Sequence, residues 1–252
     1  LRHCGRSGRP RPGAAVRRLA AAAPPVRSLT RPIAILRPEP GAAATAERVR
    51  AAGLDPLIMP LFAVVPLDWT PPDPAGFDAL LLTSANAARH AGSGLTALAR
   101  LPVLAVGPET ARAAERVGLR VIESGHHGVD ALLARQPWSQ RLLWLAGRDR
   151  IAIAHPAIRT VLPVYASDAV ALTAEQARRL SGAVALVHSA RAMRQLAVQL
   201  DTHRDPRASV RIAAISARAA DADGRGWDRV AIAAQPNDTA LIDAARPLAI
   251  DP

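Results

Sequence analysis

Short apolar runs recur along the chain, each ending at a small or polar residue and followed by an Ala-rich stretch that suits a helix. The cycle is clearest in two places. The run ending at Leu80-Leu81-Leu82 leads to Thr83-Ser84, a helix-prone stretch with Arg89 five residues after the Ser, and then Val103 to Val106 ahead of Gly107-Pro108-Glu109-Thr110. Later, Ala183 to Val187 leads to Ser189, a stretch with Arg194 again five residues on, and then Arg211 to Ile215 ahead of Ser216-Ala217-Arg218. A strand–Ser–helix unit that occurs twice predicts two similar α/β units facing one another, with a natural ligand cleft between them.

The same pattern places strands over 33–36, 77–82, 102–106, 120–122, 141–145, 183–187, 211–215 and 229–233. It places helices over 42–52, 86–91, 108–117, 129–135, 190–200, 217–222 and 238–245. Gly53 and Gly118 sit where helix ends need them, and Pro108 sits at a helix start where its missing N–H costs nothing. Strands without a polar side predict parallel sheets covered on both faces. Two segments break the rhythm. Leu57 to Pro66 is extended and interrupted by Pro, which suits an edge or isolated strand, and Thr160 to Tyr165 is extended with a similar Pro-interrupted pattern. The expected organisation is therefore an extension over 1–30, a discontinuous unit from 31–56 plus 169–252, a linking ladder from 57–66 and 159–168, and an inserted unit over 67–158.

Charge changes the picture less than its total suggests. The net charge is +11, and every basic residue is Arg, which fits GC-rich coding. Seven Arg and no acid fall in residues 1–30, leaving 25 Arg against 21 acids, a net of +4. A mildly basic body suits a polyanionic small molecule as well as nucleic acid. With 3% aromatic residues there is little to stack bases on, so nucleic acid is not the expected partner. The single Cys, Cys4, excludes a disulfide framework within one chain. The seven His show no ligand-like spacing; His126-His127 reads as a loop pair, and no metal is expected. No apolar run reaches membrane-spanning length. The 1–30 segment reads as a disordered extension or a start placed too far upstream, and the protein as cytoplasmic and monomeric, with no membrane partner.

Six segments, in order, resemble the uroporphyrinogen-III synthase family: Leu36-Arg37-Pro38-Glu39-Pro40, Leu82-Thr83-Ser84-Ala85-Asn86-Ala87-Ala88, Val106-Gly107-Pro108-Glu109-Thr110-Ala111, Val164-Tyr165, Ser189-Ala190-Arg191-Ala192 and Gln235-Pro236-Asn237-Asp238. The resemblance spans about 31–246. It implies two α/β domains joined by a two-stranded antiparallel ladder, with the active site in the interdomain cleft. It also implies cyclisation of linear hydroxymethylbilane to uroporphyrinogen III, with loss of water and inversion of ring D. Neither metal nor cofactor is implied. The implied partner is a linear tetrapyrrole polycarboxylate, with room for a transient contact with the enzyme that makes it. The chain departs from the family at Leu36, where a Thr is usual, and at Ser216-Ala217-Arg218-Ala219-Ala220, where a hydroxyl is missing at Ala219. The stretch after Arg150 is short enough to predict a truncated helix in the inserted unit.

A substrate with eight carboxylates needs helix N-termini, hydroxyls and guanidinium groups around it. Ser84 and Ser189 sit between strand and helix, where they either cap the helix or also meet carboxylates. Gly107 allows close backbone approach. Thr110 can donate to a carboxylate or bond its own helix. Arg37 and Arg148 follow strands, at the edge where α/β sheets bind ligands, and Arg37 otherwise is a turn residue. Ser216 and Arg218 occupy the matching place in the second copy, and Arg191 also follows a strand there, whereas Arg89 and Arg194, one helical turn in, read as surface residues. Tyr165, the sole Tyr, either protonates the leaving hydroxyl or packs at the hinge. The rival readings are a non-catalytic two-domain α/β protein binding an anionic small molecule, and a nucleic-acid binder driven by the Arg-rich extension.

Overall fold

The computed structural model describes residues 1, 30–125, 128–223 and 225–250. Most of the 1–30 extension, Cys4 and the His126-His127 pair lie outside them. The chain opens with β1 (Ile33–Ile35), α1 (Gly41–Ala51) and β2 (Pro56–Ile58), then crosses to a second sheet with β3 (Phe62–Pro66). There it builds β4 (Ala79–Leu82), α2 (Ala85–His90), α3 (Gly94–Leu98), β5 (Val103–Val106), α4 (Pro108–Arg116), β6 (Val121–Gly125), α5 (Gly128–Leu133) and β7 (Leu142–Gly147). The long β8 (Ile158–Ala169) leads back, and α6 (Ala174–Leu180), β9 (Val184–Val187), α7 (Ala190–His203), β10 (Arg211–Ala214), α8 (Ala217–Ala220), β11 (Val230–Ile232) and α9 (Asp238–Ala249) complete the first unit.

The first sheet has the order β11-β10-β9-β1-β2, all parallel. The second has the order β3-β8-β7-β4-β5-β6. It is parallel except for β3, which runs antiparallel to the second half of β8, from Phe62 opposite Ala169 to Pro66 opposite Tyr165. The predicted ladder therefore exists, but as the edge of the second sheet rather than a separate linker. The Leu57–Pro66 segment is likewise not one strand. Its first residues pair with β1, and its last with β8. Pro60, which has no N–H to give to either ladder, stands at the break.

Strands without a polar side behave as their composition demands. In β4, Leu80 and Leu82 face one core while Ala79 and Leu81 face another across the sheet. In β9, Ala185 and Val187 face one core and Val184 and Leu186 the other. Each such Leu, fully buried, contributes about 1.5–3 kcal/mol. No helix intervenes between β7 and β8, where the short stretch after Arg150 predicts a truncated one. Two helices, α3 and α6, were not anticipated. At α6, Thr173 Oγ1 accepts from the Gln176 N–H at 3.2 Å while the Gln176 side chain accepts from the Thr173 N–H at 2.8 Å. That reciprocal capping box was the available signal.

Candidate functional site

The carboxyl ends of both sheets feed the same cleft. A cavity of about 970 Å³ lies between them, open to solvent. Arg37, Glu39, Arg48, Asn237 and Asp238 come from the first unit. Ser84, Asn86, Arg89, Glu109 and Arg116 come from the second. Parallel strands followed by helices put loops and helix starts at this edge, which is where open α/β sheets bind ligands.

Each wall is organised around one carboxylate. On the first, Asp238 begins α9, behind the Asn237 cap. Its Oδ1 receives Arg37 at 3.2 Å and stands 3.1 Å from His188 Nε2. Its Oδ2 receives the Thr45 hydroxyl at 2.6 Å and Arg48 at 3.0 Å. The hydrogen bond with His188, then those with Thr45 and the charge of Arg37, outweigh burial and hold the Asp238 carboxyl far below the usual range. On the second wall, Glu109 lies in the first turn of α4 and pairs with Arg89, with Arg112 at 3.5 Å and with Arg116 at 3.6 Å. Desolvation pushes the Glu109 carboxyl up, and the arginines more than offset it.

The Asp238 arrangement carries a pH signature. Its folded-state pKa lies below the unfolded value of about 3.9, so its stabilisation is complete above that value and is lost as pH falls toward the folded pKa. Asp238→Asn is expected to lower the melting temperature at neutral pH and to flatten the loss of stability on acidification below about pH 4. Thermal unfolding as a function of pH measures both; equal acid slopes in the two proteins would count against it.

Of the sequence-predicted residues, Arg37 and Ser84 both line the cleft, on opposite walls. Ser84, Ser189 and Ser216 are all helix N-caps, accepting from Asn86, Ala192 and Ala219 at 3.2, 3.1 and 3.3 Å. Ser189 and Ser216 lie outside the cleft lining, and Arg218 is exposed on α8. Gly107 starts α4 and lets it enter the wall, without itself lining it. Thr110 is 5% exposed and makes no side-chain hydrogen bond among the described residues. Tyr165 is half-buried on β8, beside Gly147 at the end of β7, outside the cleft lining. Arg148 pairs with Asp168 and with Asp149 at 3.4 Å. Arg191 donates to the Ser167 carbonyl at 2.6 Å, pairs with Asp149 at 3.5 Å and lies 4.4 Å over the Phe62 ring. Arg191, on α7, thus ties the first unit to the second at the hinge, while Arg148 links the end of β7 to β8 within the second sheet.

Arg89 corrects its surface assignment: it is half-buried in the cleft wall, paired with Glu109. Its place one turn into α2 faces it toward α4. Asp238, Arg48 and His188 were not anticipated as site residues, although Asp238 belongs to a segment that carries the family resemblance. A family model described as uroporphyrinogen-III synthase HemD matches residues 43–243. This chain belongs to that family. The crystal structure of the Helicobacter pylori uroporphyrinogen-III synthetase superposes with a TM-score of 0.61 at 16% identity, covering 86% of this chain and 99% of that one. A mutant uroporphyrinogen III synthase from Thermus thermophilus gives 0.48 at 20% identity, covering 86% of this chain and 98% of that one. A search of curated proteins found no match. The two-domain α/β fold is thus that of the synthase family, and family membership makes the chain a lyase-type enzyme of tetrapyrrole chemistry. Among the described residues, no helix is long and apolar enough to cross a membrane.

Proposed function

We propose that this chain cyclises hydroxymethylbilane to uroporphyrinogen III. The observation that carries the reading is the cleft itself, where Arg37 and Arg48 on one wall and Arg89 and Arg116 on the other serve a substrate bearing many carboxylates. The chemistry asks for positioning above all. The hydroxymethyl C–O bond breaks with electrons from the adjacent pyrrole, and the oxygen takes a proton and leaves as water. The resulting azafulvene is attacked by the substituted carbon of ring D, giving a spiro intermediate. That intermediate fragments and recloses at the other α-carbon, with loss of a proton. The substrate supplies the electrons, so the protein needs to fold the linear chain, supply the proton and shield the intermediate. Tyr165, at the carboxyl edge of the second sheet, is the proposed proton donor. Thr110, with its hydroxyl unspent, is a proposed carboxylate or pyrrole contact. Gly107 is proposed to let backbone approach the substrate, and Ser84, Ser189 and Ser216 to present helix N-termini to it. Arg148 and Arg218 are retained as proposed outer contacts, Arg148 acting through the hinge.

The test is the isomer produced from enzymatically generated hydroxymethylbilane. Spontaneous closure gives the type I product, so predominance of type III after oxidation and chromatography is the expected result. A type I product at the uncatalysed rate would overturn the reading and favour a protein that binds an anion without turning it over.

A further inference from the structure

The first wall holds a carboxylate that the reaction scheme does not use. Asp238 faces four groups from three other parts of the chain. Two stand behind it: Thr45, fully buried on α1, and His188, just past β9, whose side chain is 15% exposed. Two stand in front: Arg37 and Arg48, 37% and 53% exposed, both lining the cleft. An Asp in a first helical turn ordinarily does no more than meet the helix dipole. That role requires neither a buried Thr hydroxyl donating at 2.6 Å nor a His whose second ring nitrogen, Nδ1, is buried without a partner among the described residues. Anchored from behind, the carboxylate sits against the two arginines where an anionic group of a ligand would sit.

We propose that Asp238 is a built-in competitor for the anionic groups of the ligand, and that the protonation state of His188 sets how strongly it competes. The proposal rests on the reading that the cleft takes a polyanion. With His188 neutral, Asp238 answers to Arg37 and Arg48. With His188 protonated, a third cation 3.1 Å away shares that carboxylate, and the arginines turn more readily to a ligand. Uptake of the proton adds positive charge to the wall, so anion affinity rises as pH falls. Among the described residues, the charged groups against Asp238 are Arg37 from the turn after β1, Arg48 from α1 and His188; the one against His188 is Asp238. Glu39 lies on the same wall and lends its carboxylate to the Ala43 N–H at 3.0 Å.

Pyrene tetrasulfonate, a fluorescent tetra-anion whose charge is constant over the range in which histidine titrates, tests the idea by direct titration between about pH 5 and 8. The wild-type protein is expected to bind it more tightly as pH falls. Asp238→Asn is expected to bind roughly fivefold more tightly at the upper end and to show a flatter profile, as removal of one unit charge about 4 Å away in water requires. His188→Gln is expected to keep the weaker, high-pH affinity throughout. A flat wild-type profile, weaker binding by Asp238→Asn, or an unchanged slope in His188→Gln would each overturn the proposal. If Asp238→Asn does not fold, the His188→Gln titration decides alone. The probe is not a substrate, so failure of the isomer assay leaves this result readable, and a flat titration leaves the synthase reading standing.

Discussion

Replacing Tyr165 with Phe is expected to lower turnover about a hundredfold while leaving the melting temperature nearly unchanged. The packing around the ring accounts for the stability half of that statement. The ring packs partly into the core of the second unit and lies over Gly147, where an added Cβ would stand 2.8 Å from the ring Cζ and 3.0 Å from the phenol oxygen. Its backbone carbonyl takes the Arg148 N–H at 2.8 Å, so the strand holds the side chain at the sheet's carboxyl edge. The hydroxyl makes no hydrogen bond among the described residues, so its loss leaves no buried partner stranded. A donor to the leaving oxygen, by contrast, is worth on the order of 10²–10⁴ in rate. The measurement is kcat together with the ratio of type III to type I product, which should shift toward type I as spontaneous closure overtakes the enzyme. Full turnover with an unchanged ratio would reduce Tyr165 to a hinge-packing residue.

The second large effect is expected at Gly107. It carries φ of 90° and ψ of 153°, a conformation in which an L side chain is strained. Nothing lies within 4 Å of where its Cβ would be, so the cost of Gly107→Ala is conformational and not steric. About 1–3 kcal/mol is expected, which for a chain of this size lowers the melting temperature by several degrees. The functional consequence follows from what the turn launches. Gly107 accepts from the Ala111 N–H at 3.1 Å and so starts α4, the helix that carries Glu109, Thr110, Arg112 and Arg116. Relief of the strain by tilting α4 would move the second wall, so KM should rise along with the loss of stability. An unchanged melting temperature would show that the turn tolerates a side chain.

The fold was largely legible in the sequence because its strands are buried on both faces and carry few polar residues to confuse the pattern. The cleft residues were less legible, for a reason that Asp238 illustrates. It meets Arg37 across 201 positions of sequence and Arg48 across 190, and no local spacing encodes such a meeting. Arg148 and Arg191 show the converse. Each follows a strand, as a ligand-binding Arg would, yet both serve the hinge through Asp149, Asp168 and Ser167. Position at a strand end reveals the edge of the sheet and not the partner across it. The Leu57–Pro66 segment is edge strand as its prolines predict, but its two halves lie at the edges of different sheets, with Pro60 at the break, and nothing in the local pattern encodes that division.

The strand order also bears on how the protein comes off the ribosome. In the first sheet β1 lies between β2 and β9, and Ile33 pairs with both Pro56 and Val184. Every strand of the second sheet is synthesised between those two partners. At about 5–20 residues per second, the amino-terminal strands therefore wait on the order of ten seconds for β9, while the inserted unit already has all its strands. During synthesis the second unit therefore has its full set of strands before β1 gains its partner on the Val184 side.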